Sequence, residues 1–372
     1  MATNNPFDLN LARAFDAPKA FCPRPEVTSI LERAHDGRLW TVINGDRRIG
    51  KSTSVIVSCV EKGWPILHVD VMGVGSDEEV TERFRWAWQI FQQQASRGLF
   101  SALKAEMDAT IPGTGVGVRL SSEPRRDPTT WGEVIAAFDR HAAKHGGILF
   151  IDELQDLLSI PKSGAKTARS LRAALQMSRN IMPVFAGSSH HLLSPLFDTS
   201  AAPFFKSIRI HHDFRPPNPD PFINWLRQIF EAQSRELEVA ATDRLFELTD
   251  GVTEDLVAAC AEIWAQGTRG RTVSPGDVDF AWRCVVNNAA PFFLPKVSAL
   301  TPIQAHLLRF IAHNPSCQPF SESTVRELRE SKPTLHRAVG RLLELEFIRQ
   351  DAADRSRRVR IHDPRLAFYL RA

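Results

Sequence analysis

The stretch that most restricts how this chain can fold is TVINGDRRIGKS, residues 41–52. An apolar run ends at Asn44, and the spacing Gly45-x-x-x-x-Gly50-Lys51-Ser52 follows at once. Glycine at those two positions lets successive backbone N–H groups turn inward, and a helix opening directly afterwards adds its partial positive charge to the same hollow. Such a loop works only between a strand and a helix. The reading is therefore a buried strand LWTVIN, a phosphate-binding turn, and a helix STSVIVSCVEKG stopped by Gly63. It assigns Gly45, Arg47, Arg48, Ile49, Gly50, Lys51, Ser52 and Thr53 to an ATP cradle. Lys51 reaches the β- and γ-phosphates, and Ser52 holds Mg2+.

Further buried runs repeat the pattern. WPILHVDV, GILFIDELQ and MPVFAGSS read as strands, separated by helical stretches such as CPRPEVTSILERAHDG, DEEVTERFRWAWQIFQQQASRGLFSALKAEM and TWGEVIAAFDRHAAKHG. Strands that are apolar throughout and alternate with helices predict an α/β fold with a parallel sheet covered on both faces. PGTGVGVRLSSEP, with alternating glycines, reads as a turn or small hairpin. Ile148–Ile151 delivers Asp152 and Glu153 to the C-terminal end of its strand, the edge where open α/β sheets bind ligands. Asp152 is placed to contact Mg2+ through water and Glu153 to polarise the attacking water. Asp156, one turn on, reads as a solvated carboxylate or a cap. Ser188, directly after the strand PVFAG, is the candidate sensor of the γ-phosphate. His190 and His191 have no third ligand at metal spacing and read as loop residues.

With 372 residues, 43% hydrophobic and 24% charged, the chain has the balance of a soluble globular protein with room for two or three domains. No apolar run nears the ~18 residues a membrane span needs, and the N-terminus lacks the basic start and apolar core of a signal peptide. The cysteines at 22, 59, 260, 284 and 317 have neither CxxC nor zinc spacing, which fits reduced thiols and a cytoplasmic location. Four prolines within residues 216–221 mark one boundary, and APFFLPKVSALTP reads as a second Pro-rich joint. The expected organisation is an arm at 1–20, a P-loop core at 21–214, a helical lid at 215–297 and a separate unit at 298–372.

That last unit reads as three helices, LTPIQAHLLRFIAHNPS, SESTVRELRE and SKPTLHRAVGRLLELEFIRQ, followed by an alternating hairpin with an Asp-Arg-Ser tip. Helix–helix–helix–hairpin is the winged helix-turn-helix layout, in which the third helix enters the major groove and the wing tracks phosphates. From Ala299 onward the chain carries 13 Lys/Arg against 8 Asp/Glu, whereas the whole chain is only +3. The candidate contacts to duplex DNA are Lys332, Thr334, Arg337 and Arg341 on the third helix, and Arg355, Arg357, Arg358 and Arg360 on the wing. A winged helix used for protein contact, its basic residues merely solvated, is the competing reading.

These motifs together resemble the archaeal-type ATPase family, on the border of the AAA+ and STAND groups and akin to origin-recognition ATPases. FCPRPE resembles the family's Phe-x-Gly-Arg-x-Glu, GDRRIGKST its Gly-x-Arg-Arg-x-Gly-Lys-[Ser/Thr], FIDELQ its Asp-Glu-x-Gln, and FAGSSHHLLSPLF its Gly-Ser strand. IHDPRLAFYLRA resembles the Asp-Pro-x-Leu-x-Phe segment that follows the wing. The resemblance implies an AAA+-like core, a helical lid and a winged helix, places Arg24 at the nucleotide, and implies nucleotide-dependent self-assembly. Two departures stand out. FFKSIR replaces the Gly-Arg that bridges subunits, leaving Lys206 or Arg209 as stand-ins acting in trans. LTDGVTEDL replaces the usual start of the lid, with no arginine close behind Gly251 to act as a second sensor. The expected function is an ATP-dependent switch coupled to assembly and DNA binding. The alternatives are a STAND-type signalling ATPase whose output is a partner protein, and a DNA-binding transcription regulator with little turnover.

Overall fold

The apolar runs lie side by side as parallel strands: β1 (Thr41–Asn44), β2 (Ile66–Asp70), β3 (Gly147–Asp152) and β4 (Ile181–Gly187). A fifth, β5 (Ile210–Asp213), completes a sheet of order β2-β3-β4-β1-β5. A computed structural model provides the coordinates and describes residues 5–97, 127–188, 190–267, 270–315, 317–350 and 358–372. Every residue of β3 and β4 is buried, because both faces are covered by helices, whereas β5 at the edge alternates buried Ile210 with partly exposed histidines. Register brings the C-terminal ends level: Asp70 stands beside Asp152, and Asn44 beside both Gly187 and Asp213. That shared edge is where the glycine loop, Asp152, Glu153 and Ser188 emerge.

The sheet sits within a unit spanning Leu9–Pro221. Its core packs Phe84 and Phe91 of the helix Asp77–Ser96, Phe138 of Trp131–His141, and Phe150 and Phe185 of the sheet, all fully buried. Helix starts follow local chemistry: Ser76 accepts from the Glu79 N–H, and Thr130 with Glu133 forms a capping box. The described part of the stretch read as an arm, residues 5–20, carries regular structure. A helix at Leu11–Asp16, capped by Asn10, buries Ala14 and Phe15 in the sheet unit's core, and a 3-10 turn follows at Pro18–Ala20. Six residues are too few to show helical periodicity. The hairpin expected in PGTGVGVRLSSEP lies outside the described residues.

The second unit joins the chain through Asp8 to residues from Phe222 onward. Phe7 is buried there, its ring 5.9 Å from both Trp225 and Trp264, and the Asn5 side chain donates to the Ala261 carbonyl. Helices run Val239–Thr249, Thr253–Gln266, Pro275–Ser298, Pro302–His313, Glu322–Leu328 and Lys332–Glu344. An antiparallel pair, β6 (Ile348–Gln350) and β7 (Val359–Ile361), and a last helix, Pro364–Arg371, complete it. The second Pro-rich joint is instead part of the continuous helix Pro275–Ser298. Pro291 and Pro295 are four residues apart and both exposed, so the hydrogen bonds they remove face water, while Phe293 on the other side is buried among Leu307, Ile311 and Leu342. The regions expected as lid and C-terminal domain accordingly pack as one unit, tied by Arg365 to Asp255 at 2.7 Å and to Glu254 at 3.1 Å.

Candidate functional site: the phosphate loop and the adjoining strand edge

Two backbone features shape the loop between β1 and the helix Lys51–Lys62. Gly50 adopts φ +92°, left-handed geometry that suits glycine, and a Cβ on Gly45 would stand 2.4 Å from the Phe214 carbonyl oxygen. Arg48 also lies at positive φ. The Ile49 side chain is buried in the core, so Ile49 can serve a ligand only through its backbone. Lys51 is buried, and its ammonium donates to the Gly45 carbonyl at 2.6 Å and to the Asp46 carbonyl at 2.7 Å. Burial pulls its pKa down, opposed by the carboxylates of Asp152 and Glu153. The cation is thus held inside the loop by carbonyls that an anion could replace.

The fold brings Ser52 and Asp152 together across the sequence: the Ser52 hydroxyl donates to the Asp152 carboxylate. Burial pushes the Asp152 carboxyl up, opposed by His68 and by the Ser52 hydrogen bond. His68, on β2, holds Nε2 4.0 Å from Asp152 Oδ2 and stacks on Phe150 at 5.1 Å between ring centres. Its burial drives the imidazole pKa down and keeps the ring neutral. Glu153 closes β3 in a left-handed conformation, φ +52°, and accepts from the Gln155 amide. Asp156 is a backbone tie, accepting from Gly73 N–H at 2.7 Å and fixing the segment after β2.

Four buried side-chain atoms at this edge have no hydrogen-bond partner: Asn44 Oδ1, His68 Nε2, Gln155 Oε1 and Ser188 Oγ. Leaving such an atom unsatisfied costs about 1–3 kcal/mol. Their concentration at the strand ends marks an edge built to receive a polar ligand. A hydroxyl and a carboxylate in contact supply hard oxygen donors that fit Mg2+, with Ser52 and Asp152 as the residues that would hold it. Among the described residues no cluster of three or more His, Cys, Asp or Glu could cage a metal, so an ion here relies on phosphate oxygens and water.

The remaining expected residues fall in distinct places. The Arg24 guanidinium lies 4.2 Å from the Phe214 ring centre and donates to the Arg215 carbonyl at 2.7 Å, beside the segment that Gly45 approaches. Arg47 and Thr53 are half-buried on the loop and first helical turn. Lys206 and Arg209 are exposed on the segment leading into β5, Lys206 over the Phe205 ring at 5.3 Å. Lys332 and Arg337 are exposed on the helix Lys332–Glu344. The Thr334 hydroxyl is engaged with Ser331 at 2.8 Å, and Arg341 pairs with Glu344 at 2.9 Å. Arg358 is exposed. Arg360, expected to face phosphates, meets Asp250 at 3.0 Å, beside Arg349 at 2.6 Å on the same carboxylate. Asp250 stands out on a left-handed turn after the helix Val239–Thr249, where both guanidiniums reach it. Arg355 and Arg357 lie outside the described residues.

Sequence reasoning gave no role to His68, Asn44 or Gln155. A polar residue inside the run ILHVD was the signal for His68, and the polar end of TVIN was the signal for Asn44.

A five-stranded parallel sheet with this glycine loop after β1 and an Asp-Glu pair ending β3 is the fold of the P-loop ATPases. Among solved structures, the Walker-type ATPase PABY2304 of Pyrococcus abyssi superposes with a TM-score of 0.68 at 20% identity, over 96% of this chain and 100% of that one. The Thermotoga maritima RuvB Holliday junction branch migration motor (TM-score 0.47, 13% identity, 95% and 96% covered) also matches. So does the Aeropyrum pernix ORC1 protein in complex with DNA (0.47, 13%, 96% and 94%). No protein-family model and no curated protein matches the chain. Among the described residues no helix is long and apolar enough to cross a membrane.

Proposed function

We propose that the chain binds and hydrolyses ATP with Mg2+ and acts as a nucleotide-dependent switch in the cytoplasm. The observation that carries this reading is the convergence at one strand edge of a buried lysine in a glycine loop, the Ser52–Asp152 contact, Glu153, and the unsatisfied atoms of Asn44, Gln155 and Ser188. In this reading residues 21–214 form the ATPase core and 215–297 a helical lid. Residues 298–372 form a winged helix-turn-helix that binds duplex DNA through Lys332, Arg337 and the basic wing. Lys206 or Arg209 completes the site of a neighbouring copy. Three helices followed by an antiparallel pair, with an exposed basic face on the third helix, support the winged-helix assignment.

A second reading, a signalling ATPase whose output is a partner protein, is favoured by the ion pairs that hold Arg349 and Arg360 on Asp250. A DNA-binding regulator with little turnover is the third. Sizing the intact protein with ADP and with a slowly hydrolysed ATP analogue, with and without duplex DNA, tests all three alongside measured turnover. The switch reading expects ATP-state assembly and salt-sensitive DNA binding. Assembly without DNA binding supports the signalling reading, and DNA binding without turnover supports the regulator.

A further inference from the structure

Gln155 lies two residues beyond Glu153, in the 3-10 turn Leu154–Ser159, and is only 6% exposed. Its amide nitrogen donates to Glu153 Oε2. A carboxylate can only accept, so chemistry fixes which way the amide faces: nitrogen toward Glu153, Oε1 away from it. That oxygen is buried without a donor, and it lies against the end of β4, where a Cβ built on Gly187 would come within 2.6 Å of it. Ser188, the next residue, also holds its hydroxyl oxygen buried and without a partner. What Gln155 Oε1 lacks is a hydrogen-bond donor.

Glu153 and the buried Gln155 Oε1 together therefore offer two acceptors beside the end of β4. A water molecule has two O–H donors. For attack on phosphorus its lone pair must point at the phosphorus atom, and fixing both O–H bonds fixes that direction. We propose that Gln155 is the positioning residue for the lytic water, a role that rests on the ATP-hydrolysis reading above. One O–H of the water donates to Glu153 and the other to Gln155 Oε1, while the Gln155 amide holds Glu153 in place. As the water oxygen bonds to the γ-phosphorus, the first proton passes to Glu153. The bond from γ-phosphorus to the bridging oxygen breaks, and its electron pair leaves on ADP. Glu153 then returns its proton to solvent, and Gln155 neither gains nor loses one. Glycine at 187 leaves the amide the space this requires.

The test uses the full-length chain with MgATP. Q155M conserves volume and removes both hydrogen bonds. Its kcat is expected to fall on the order of 10²-fold, the scale set by a misplaced reacting group. KM and the affinity for a fluorescent ATP analogue should stay within about twofold, since binding does not use the amide. Q155M turning over as fast as wild type, or faster because a sequestered base has been released, overturns the proposal. Wild-type protein that binds no ATP overturns the ATP reading itself, and is recognised separately because it precedes any comparison of variants.

Discussion

The strand edge of the first unit and the basic surface of the second arrange their polar groups differently. At the strand edge of the first, Asn44, His68, Gln155 and Ser188 each leave an atom buried without a partner. In the second, four of the arginines in the basic C-terminal sequence meet acids of the same unit: Arg349 and Arg360 pair with Asp250, Arg365 with Glu254 and Asp255, and Arg341 with Glu344. The first pattern gathers buried acceptors at one strand edge; the second ties part of a basic surface to the unit's own acids. A count of basic residues is therefore a poor guide to a binding field, because the counter-charges here come from residues up to 111 positions away.

The largest expected effect breaks the first half of the contrast. Lys51→Ala removes the buried ammonium that Gly45 and Asp46 carbonyls now hold. Charge-assisted hydrogen bonds contribute about 1.5–3 kcal/mol each, so ATP affinity should fall by at least about tenfold and turnover should be lost. Isothermal titration with MgATP and a phosphate-release assay check this. Unchanged affinity together with unchanged turnover would place the nucleotide elsewhere.

Next comes Glu153→Gln. The amide keeps the shape but is a far weaker base, so hydrolysis should drop by about 10²-fold or more while ATP stays bound. Size-exclusion with MgATP should then show the ATP-state assembly persisting rather than decaying. A variant that hydrolyses at the wild-type rate removes Glu153 from the mechanism.

How much of this was readable beforehand depends on how strongly each element is marked. β1 to β4 were legible as continuous apolar runs, and the phosphate loop was legible because its spacing needs a strand before it and a helix after it. β5 was not. Its IHHD is four residues long with a half-polar pattern, because an edge strand needs only one apolar side chain inside. The pair Asp152–Glu153 could be placed from the strand that delivers it. Gln155 stood only as the last residue of the Asp-Glu-x-Gln resemblance and His68 had no role, since an amide orientation and a cross-strand approach are not encoded in a local pattern. The Pro-rich joint misled because proline breaks a helix only where its missing N–H matters, and Pro291 and Pro295 both face water. The pairing of Arg360 with Asp250 was not legible because Asp250 is remote in sequence.

A smaller effect probes the engaged surface. Asp250→Ala detaches Arg349 and Arg360 from their shared carboxylate. Asp250 is 45% exposed at its side chain, so the loss in stability should be at most about 1 kcal/mol per pair. If β6 and β7 carry a DNA-facing wing, affinity for unrelated duplexes should rise and the salt slope should steepen by up to roughly 0.9 for each added phosphate contact. Fluorescence anisotropy across a salt series measures both. A slope and affinity identical to wild type would assign this face to protein contact and strengthen the signalling reading.

The smallest effect concerns the cost of the poised edge itself. Asp152 is buried beside neutral His68, and burial raises its carboxyl pKa above the ordinary value. A carboxyl whose folded pKa is raised contributes stability in full below its unfolded pKa, about 3.9, and that contribution is lost as pH rises through the folded value. Without nucleotide, ionising Asp152 therefore works against the fold, and Asp152→Asn should melt higher wherever the pH exceeds the folded value, by about 2–4 °C for each kcal/mol removed. His68, with its pKa lowered, titrates with the opposite slope, so the informative quantity is the difference between wild type and variant across pH rather than either curve alone. That difference should shrink as pH falls toward 4. Adding MgATP should reverse the order, because ligand binding stabilises the folded form in proportion to affinity and the variant lacks the carboxylate that holds the ion. Equal melting temperatures at every pH without nucleotide would show that the buried carboxylate costs nothing, and the contrast between a strained edge and a satisfied surface would fail at its central residue.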